Sequence, residues 1–137
     1  MIVVDTNVLS EPLKALPNPR VIQWLLDNDS EIAITSISIA ELFHGARRLP
    51  QGKRRDSITV QIERTLQGAR TRLLPFDDAA ARHYADIRSN REATGHSVSV
   101  EDTMIVSICR AHGYAVATRN TRDFEGADVE IINPWDG

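Results

Sequence analysis

The apolar residues of this chain are parcelled into short runs, and that parcelling limits its fold more than any other feature. Ile2-Val3-Val4 and Ile32–Thr35 are brief and rich in β-branched residues, which predicts buried strands. Arg72–Pro75, Tyr114–Ala117 and Val129–Ile132 read as three further strands. Helical patterns lie between them. Asn18-Pro19 is a helix start, with the cap first and proline at the first helical position, and the helix runs through Val21, Ile22, Trp24, Leu25 and Leu26. A second helix is predicted from about Ser38 to Arg48. The polar stretch Pro50–Arg55 leads into a third that reaches about Gln67. Asp77–Arg91 is predicted helical, with Ala80, Ala81, Tyr84, Ala85 and Ile87 on its apolar side, and Thr94-Gly95-His96 is a loop. Val100–His112 is apolar over much of its circumference, which marks a central helix, and Gly113 ends it. Short buried strands alternating with helices imply an α/β fold whose central parallel sheet is covered on both faces. Ligands of such sheets bind beyond the carboxyl ends of the strands.

Bulk properties narrow the function. A length of 137 residues points to one domain, long enough to fold without disulfides or a structural metal. The single cysteine, Cys109, has no internal partner, so a reducing compartment suits the chain. No apolar run approaches the roughly 18 residues of a membrane span. The start Met1-Ile2-Val3-Val4-Asp5 lacks the basic region of a signal peptide, so a cytoplasmic location is expected. The net charge of −3 weighs against a module that simply coats phosphates, since such proteins are usually basic. It suits an enzyme that reaches phosphate through metal ions.

Three acids draw attention. Asp5 lies at the carboxyl end of the first strand, where it reads equally as the cap of a following short helix or as a site residue. Glu41, in Ser38-Ile39-Ala40-Glu41, fits a capping box, and Asp102, in Ser99-Val100-Glu101-Asp102, fits a similar pattern. Each therefore has a purely structural reading. The functional reading rests on the apolar character of both helices, because an acid one turn into a buried helix is costly unless paired or metal-bound. Three converging carboxylates suit Mg²⁺ or Mn²⁺. Zinc is disfavoured: Cys109 is alone, and His44, His83, His96 and His112 lack ligand spacing. Cys109 reads as core, His112 as a helix C-terminal residue, and His44 as surface or a neighbour of the site. The basic cluster Arg47, Arg48, Lys53, Arg54 and Arg55 reads as a solvated loop or an RNA-backbone contact. There is no glycine-rich phosphate loop and no G-x-S-x-G.

Taken in order, Val3-Val4-Asp5-Thr6-Asn7-Val8-Leu9-Ser10, Ser38-Ile39-Ala40-Glu41-Leu42, Val100-Glu101-Asp102-Thr103-Met104-Ile105 and Ala117-Thr118-Arg119-Asn120-Thr121-Arg122-Asp123-Phe124 resemble the motifs of PIN domains. The likeness is nearest to the VapC toxins, particularly the FitB-like group, and runs through the closing Asn133-Pro134-Trp135. The resemblance implies a single PIN domain over residues 1–137 with a three-layer α/β/α fold. It implies a Mg²⁺-dependent RNA endonuclease, a homodimer, and neutralisation by a VapB-like antitoxin through which operator DNA is bound. The family's acids fall on Asp5, Glu41 and Asp102. A fourth position, often aspartate, falls on Asn120, and Asp123 stands three residues beyond, either supplying the missing charge from behind the metal ligands or capping its turn. Water activated by metal is the expected nucleophile. Asp5 and Asp102 are expected as principal ligands with Glu41 completing the shell, while Thr6, Asn7 and Thr118 position waters or phosphate oxygens. Two other readings stand beside this: a non-catalytic module that pairs with an antitoxin on operator DNA, and a metal-dependent DNA exonuclease of related architecture.

Overall fold

A computed structural model describes residues 1–69 and 72–136. The five predicted strands are present but shorter at three places: β1 is Ile2–Val4, β2 Ile32–Thr35, β3 Leu73–Leu74, β4 Ala115–Ala117 and β5 Ile131–Ile132. They form one fully parallel sheet in the order β3-β2-β1-β4-β5. The chain builds outward from β1 through β2 to β3, then returns to the other side of β1 for β4 and β5. The order therefore reverses between β1 and β4, and the crevice of such a sheet opens beyond their carboxyl ends.

Among the described residues, six α-helices cover the sheet. They are α1 (Thr6–Ser10), α2 (Pro19–Asp27), α3 (Ser36–Arg47), α4 (Lys53–Gly68), α5 (Asp78–Ala93) and α6 (Val100–His112). Neighbouring strand residues point to opposite faces. Val4, Ile32, Ile34 and Ala117 join Val8, Val21, Leu42, Ile62 and Leu66 in one core, which packs α1–α4 onto one face. Val3, Ala33 and Val116 join Ile87, Ile105, Val106, Cys109 and Phe124 in the other, beneath α5 and α6. These are the three layers the sequence predicts.

Several helix starts follow their caps as expected. Asn18 accepts the Arg20 N–H at 2.9 Å with Pro19 at the first helical position, and Asp77 accepts from Ala80 at 3.0 Å. α6 spans the predicted residues and ends at Gly113, whose φ of 72° lies in the left-handed region that glycine tolerates. Two expectations fail. α3 begins at Ser36, capped by Thr35, whose hydroxyl accepts the Ser38 N–H at 3.2 Å. Glu41 is thus well inside the helix and belongs to no capping box. On α5, Ala81 and Ala85 are exposed, and the buried stripe is Ala80, Ile87 and Arg91.

Ile105 has no solvent exposure and packs from α6 onto the sheet. Ile105→Ala should lower stability by about 2–5 kcal/mol, read from urea unfolding as a lower midpoint at unchanged slope.

Candidate metal-binding active site

The site grows from the end of β1. Asp5 is 2 % exposed, and its N–H donates to the Ala117 carbonyl at 2.9 Å, prolonging the β1–β4 ladder by one residue. One carboxylate oxygen accepts the Thr6 N–H at 2.6 Å, so Asp5 caps α1; the other accepts the Thr118 hydroxyl at 2.8 Å. The cap reading of Asp5 therefore holds through one oxygen, while the other oxygen faces β4. Thr118 is itself buried, and its hydroxyl accepts the Asn120 N–H at 3.0 Å.

Glu41 is half-buried on α3. Its carboxylate accepts the Thr6 hydroxyl at 2.6 Å, and that hydroxyl lies 3.0 Å from Ser38 Oγ. Asp102 lies in the first turn of α6, where Ser99 Oγ accepts its N–H at 3.1 Å. The predicted helix-start role of that segment is present, and the carboxylate remains available.

These acids share one electrostatic field. Burial raises Asp5 above the ordinary carboxylate range, against hydrogen bonds from Thr118 and Thr6, and the charge of Asp123 raises it further. Glu41 is raised by burial first and then, against its bond from Thr6, by Asp5 and Glu101. Asp102 is pushed up to about 6 by burial, then by Asp5, Asp123 and Glu41, with the Ser99 hydrogen bond opposing. Asp5, Glu41, Asp102 and Asp123 thus stand at one edge and repel one another. Among the described residues, no three such side chains are already drawn together as a ligand set. Of the three carboxylates the sequence expects to converge, Asp5 and Glu41 are linked through Thr6, and Asp102 is coupled to them through space alone.

The donor chemistry fits a hard divalent cation. The available atoms are carboxylate and hydroxyl oxygens, Cys109 is buried in the core, and His44 is exposed. Asn7, two residues beyond Asp5, has a buried Oδ1 without a hydrogen-bond partner, which suits a hydrated ion's water. Of the two fourth-position candidates, Asn120 is exposed and its side chain does not cap its turn. Asp123 lies on that turn (Thr121–Phe124), is half-buried, and couples to Asp5 and Asp102. Its N–H donates to the Asn120 carbonyl at 3.0 Å, a bond of the main chain, and Phe124 beside it is buried as predicted.

Two hollows flank Glu41. One, of about 360 Å³, has an apolar lining that includes Leu13, Leu42, Ala46 and Ile58, with Thr6, Lys14 and Arg54 at its sides. The other, of about 340 Å³, is lined by Ile37, Ala40, His44, Glu101 and Met104. Sequence reasoning overlooked Ser38, Glu101 and Arg91. Helical spacing was the signal for Arg91: it continues the series Ala80, Tyr84, Ile87 at steps of three or four.

The chain is similar to known proteins along nearly its whole length. The PIN-domain family model matches residues 2–130. The VapC ribonuclease Y4jK of Sinorhizobium fredii is 41 % identical, with 99 % of each chain covered. Toxin FitB of Neisseria gonorrhoeae is 39 % identical, covering 98 % of this chain and 99 % of its own. Among solved structures, FitAB bound to an IR36 DNA fragment superposes with a TM-score of 0.90 at 38 % identity, covering 98 % of this chain and 96 % of that one.

The pKa of Asp102 carries a stability consequence. A carboxylate raised on folding stabilises the fold while protonated, and that contribution is lost as pH rises from about 4 to about 6. In chelator, Asp102→Asn should therefore stabilise the protein at pH 7 by roughly 1–2 kcal/mol, the linkage energy discounted for solvent screening, and should flatten this window. Thermal melts of both proteins between pH 4 and pH 7 measure it.

Proposed function

The chain belongs to the PIN-domain family, and from that premise we propose that it is the endoribonuclease toxin of a VapBC-like toxin–antitoxin module, using Mg²⁺ (or Mn²⁺) and acting in the cytoplasm. The observation that carries this reading is the buried Asp5 at the β1–β4 reversal, bonded to Thr118 and coupled to Asp102 and Asp123. The relatives named as a VapC ribonuclease and as toxin FitB support the activity and the role. PIN-domain ribonucleases depend on metal, and oxygen-only donors support Mg²⁺ or Mn²⁺ among the candidates.

A bound divalent ion supplies charge neutralisation at the scissile phosphate and a water of lowered pKa. The chain's own residues do the rest. Asp5 and Asp102 are the principal ligands, and Glu41 completes the shell from α3. Thr118 and the Thr6 N–H fix the two oxygens of Asp5, while the Thr6 hydroxyl fixes Glu41. Asp123 supplies the fourth negative charge, and Asn120 supplies none.

The antitoxin is proposed to lay a segment in the apolar hollow beside Glu41 and to reach the carboxylates with an arginine or lysine. A homodimer is proposed through the hollow of Ile37, Ala40 and Met104. A second reading, a non-catalytic partner within a DNA-binding complex, is favoured by one comparison, FitAB bound to DNA. Operator DNA enters our reading only through the antitoxin.

Partner-free protein incubated with total RNA decides between them. Cleavage is expected with Mg²⁺ and none with EDTA. Asp5→Asn and Asp102→Asn should be folded and inactive, and Thr118→Val should lose about 10–100-fold in activity as an outer support of Asp5. RNA left intact by the unmodified protein in both Mg²⁺ and Mn²⁺ would leave the non-catalytic reading standing. A saturating antitoxin should raise the Mg²⁺ concentration needed for cleavage.

A further inference from the structure

Arg91 is 8 % exposed, in the last turn of α5, and the function derived above does not use it. Its Nη2 donates to the Asp123 carbonyl at 2.7 Å, and its Nη1 makes a longer 3.4 Å bond to the Thr103 hydroxyl, beside Asp102. Its own carbonyl accepts the His96 N–H at 2.8 Å, on the connection to α6. One side chain thus ties α5, the start of α6 and the Thr121–Phe124 turn together.

A buried guanidinium is expensive unless its charge is met. Among the described residues, no carboxylate lies within ion-pair distance of Arg91. Its compensation comes through space: burial lowers its pKa, and the charges of Asp123 and Asp102 raise it. Arginine stays protonated at any physiological pH, so the charge is permanent. A neutral donor would suffice to hold one carbonyl and one hydroxyl. What only a cation adds is relief of the repulsion among acids at this edge.

We infer that Arg91 is the internal counter-charge and positioning residue of the acid site: its buried guanidinium fixes the turn that carries Asp123 and offsets the negative charge of Asp102 and Asp123. The inference rests on the reading that these acids, with Asp5 and Glu41, hold a divalent cation. A fixed positive charge beside that cluster stabilises it without metal and weakens its hold on a free cation.

Calorimetric titration of Mn²⁺ into the RNA-free protein tests this on three chains: unmodified, Arg91→Gln and Arg91→Lys. Gln keeps a donor and loses the charge; Lys keeps the charge and loses the fork. Arg91→Gln should bind Mn²⁺ on the order of five- to tenfold more tightly, one charge removed from the field of a dication across a partly solvated site. Arg91→Lys should stay within about twofold of the unmodified protein. A purely structural Arg91 predicts the reverse, looser binding in both. Unchanged or weaker binding in Arg91→Gln overturns the inference. An unmodified chain that binds no Mn²⁺ overturns the metal-site reading itself, and this inference with it. If Arg91→Gln does not fold, the unmodified protein still decides: the Arg91 Nε–H resonance should move during a Mg²⁺ titration with the midpoint of metal binding, and a resonance that stays in place refutes the coupling.

Discussion

Asp5 is a carboxylate placed at the centre of a parallel sheet, and its surroundings answer the cost of putting it there. An ionised acid in an apolar interior is unfavourable by several kcal/mol unless its oxygens are satisfied. Here the Thr6 N–H takes one oxygen and the Thr118 hydroxyl the other, from opposite sides of the β1–β4 reversal. The reversal of strand order is what makes this arrangement possible. It opens the sheet at the one place where two strand ends and two helix starts meet, and it sends both Asp5 and Thr118 into the same opening.

The acids that join Asp5 arrive on separate scaffolds: Glu41 on α3, Asp102 on α6, Asp123 on a short turn. Glu41 is held by the Thr6 hydroxyl, Asp102 and Asp123 by the main chain of their own elements, and the sum is a patch that resists its own ionisation. Proteins concentrate such resistance where chemistry happens, because the same field that penalises protons leaving rewards a cation arriving. Arg91 moderates that field from behind.

Much of this was legible in residue types and spacing. Short apolar runs located every strand, and the two central ones, β1 and β2, were plainest because they are β-branched and buried on both faces. α6 was readable to its ends because Ser99 and Gly113 are unambiguous caps. The start of α3 was not, because Thr35, Ser36 and Ser38 are all competent caps and only the end of β2 selects among them. Asp5 was recognisable from its place after a buried strand. Glu41 was singled out for a capping pattern the structure does not contain, although its apolar surroundings were read correctly. Which of Asn120 and Asp123 lies nearer the other acids depends on a tight turn whose rotation no spacing rule gives. Arg91 was hidden because an arginine in an amphipathic helix is ordinarily solvated, and its burial follows from how α5 meets α6.

The outer strands β3 and β5 are two residues long. A strand that short offers almost no row of free main-chain donors and acceptors, so another chain finds little to align against. Lateral growth of the sheet is thereby closed in both directions. Whatever docks on this protein must recognise side chains on helices and in hollows. Its associations are thus governed by complementarity of shape and charge, which mutation tunes one residue at a time, rather than by the indiscriminate stickiness of an open backbone.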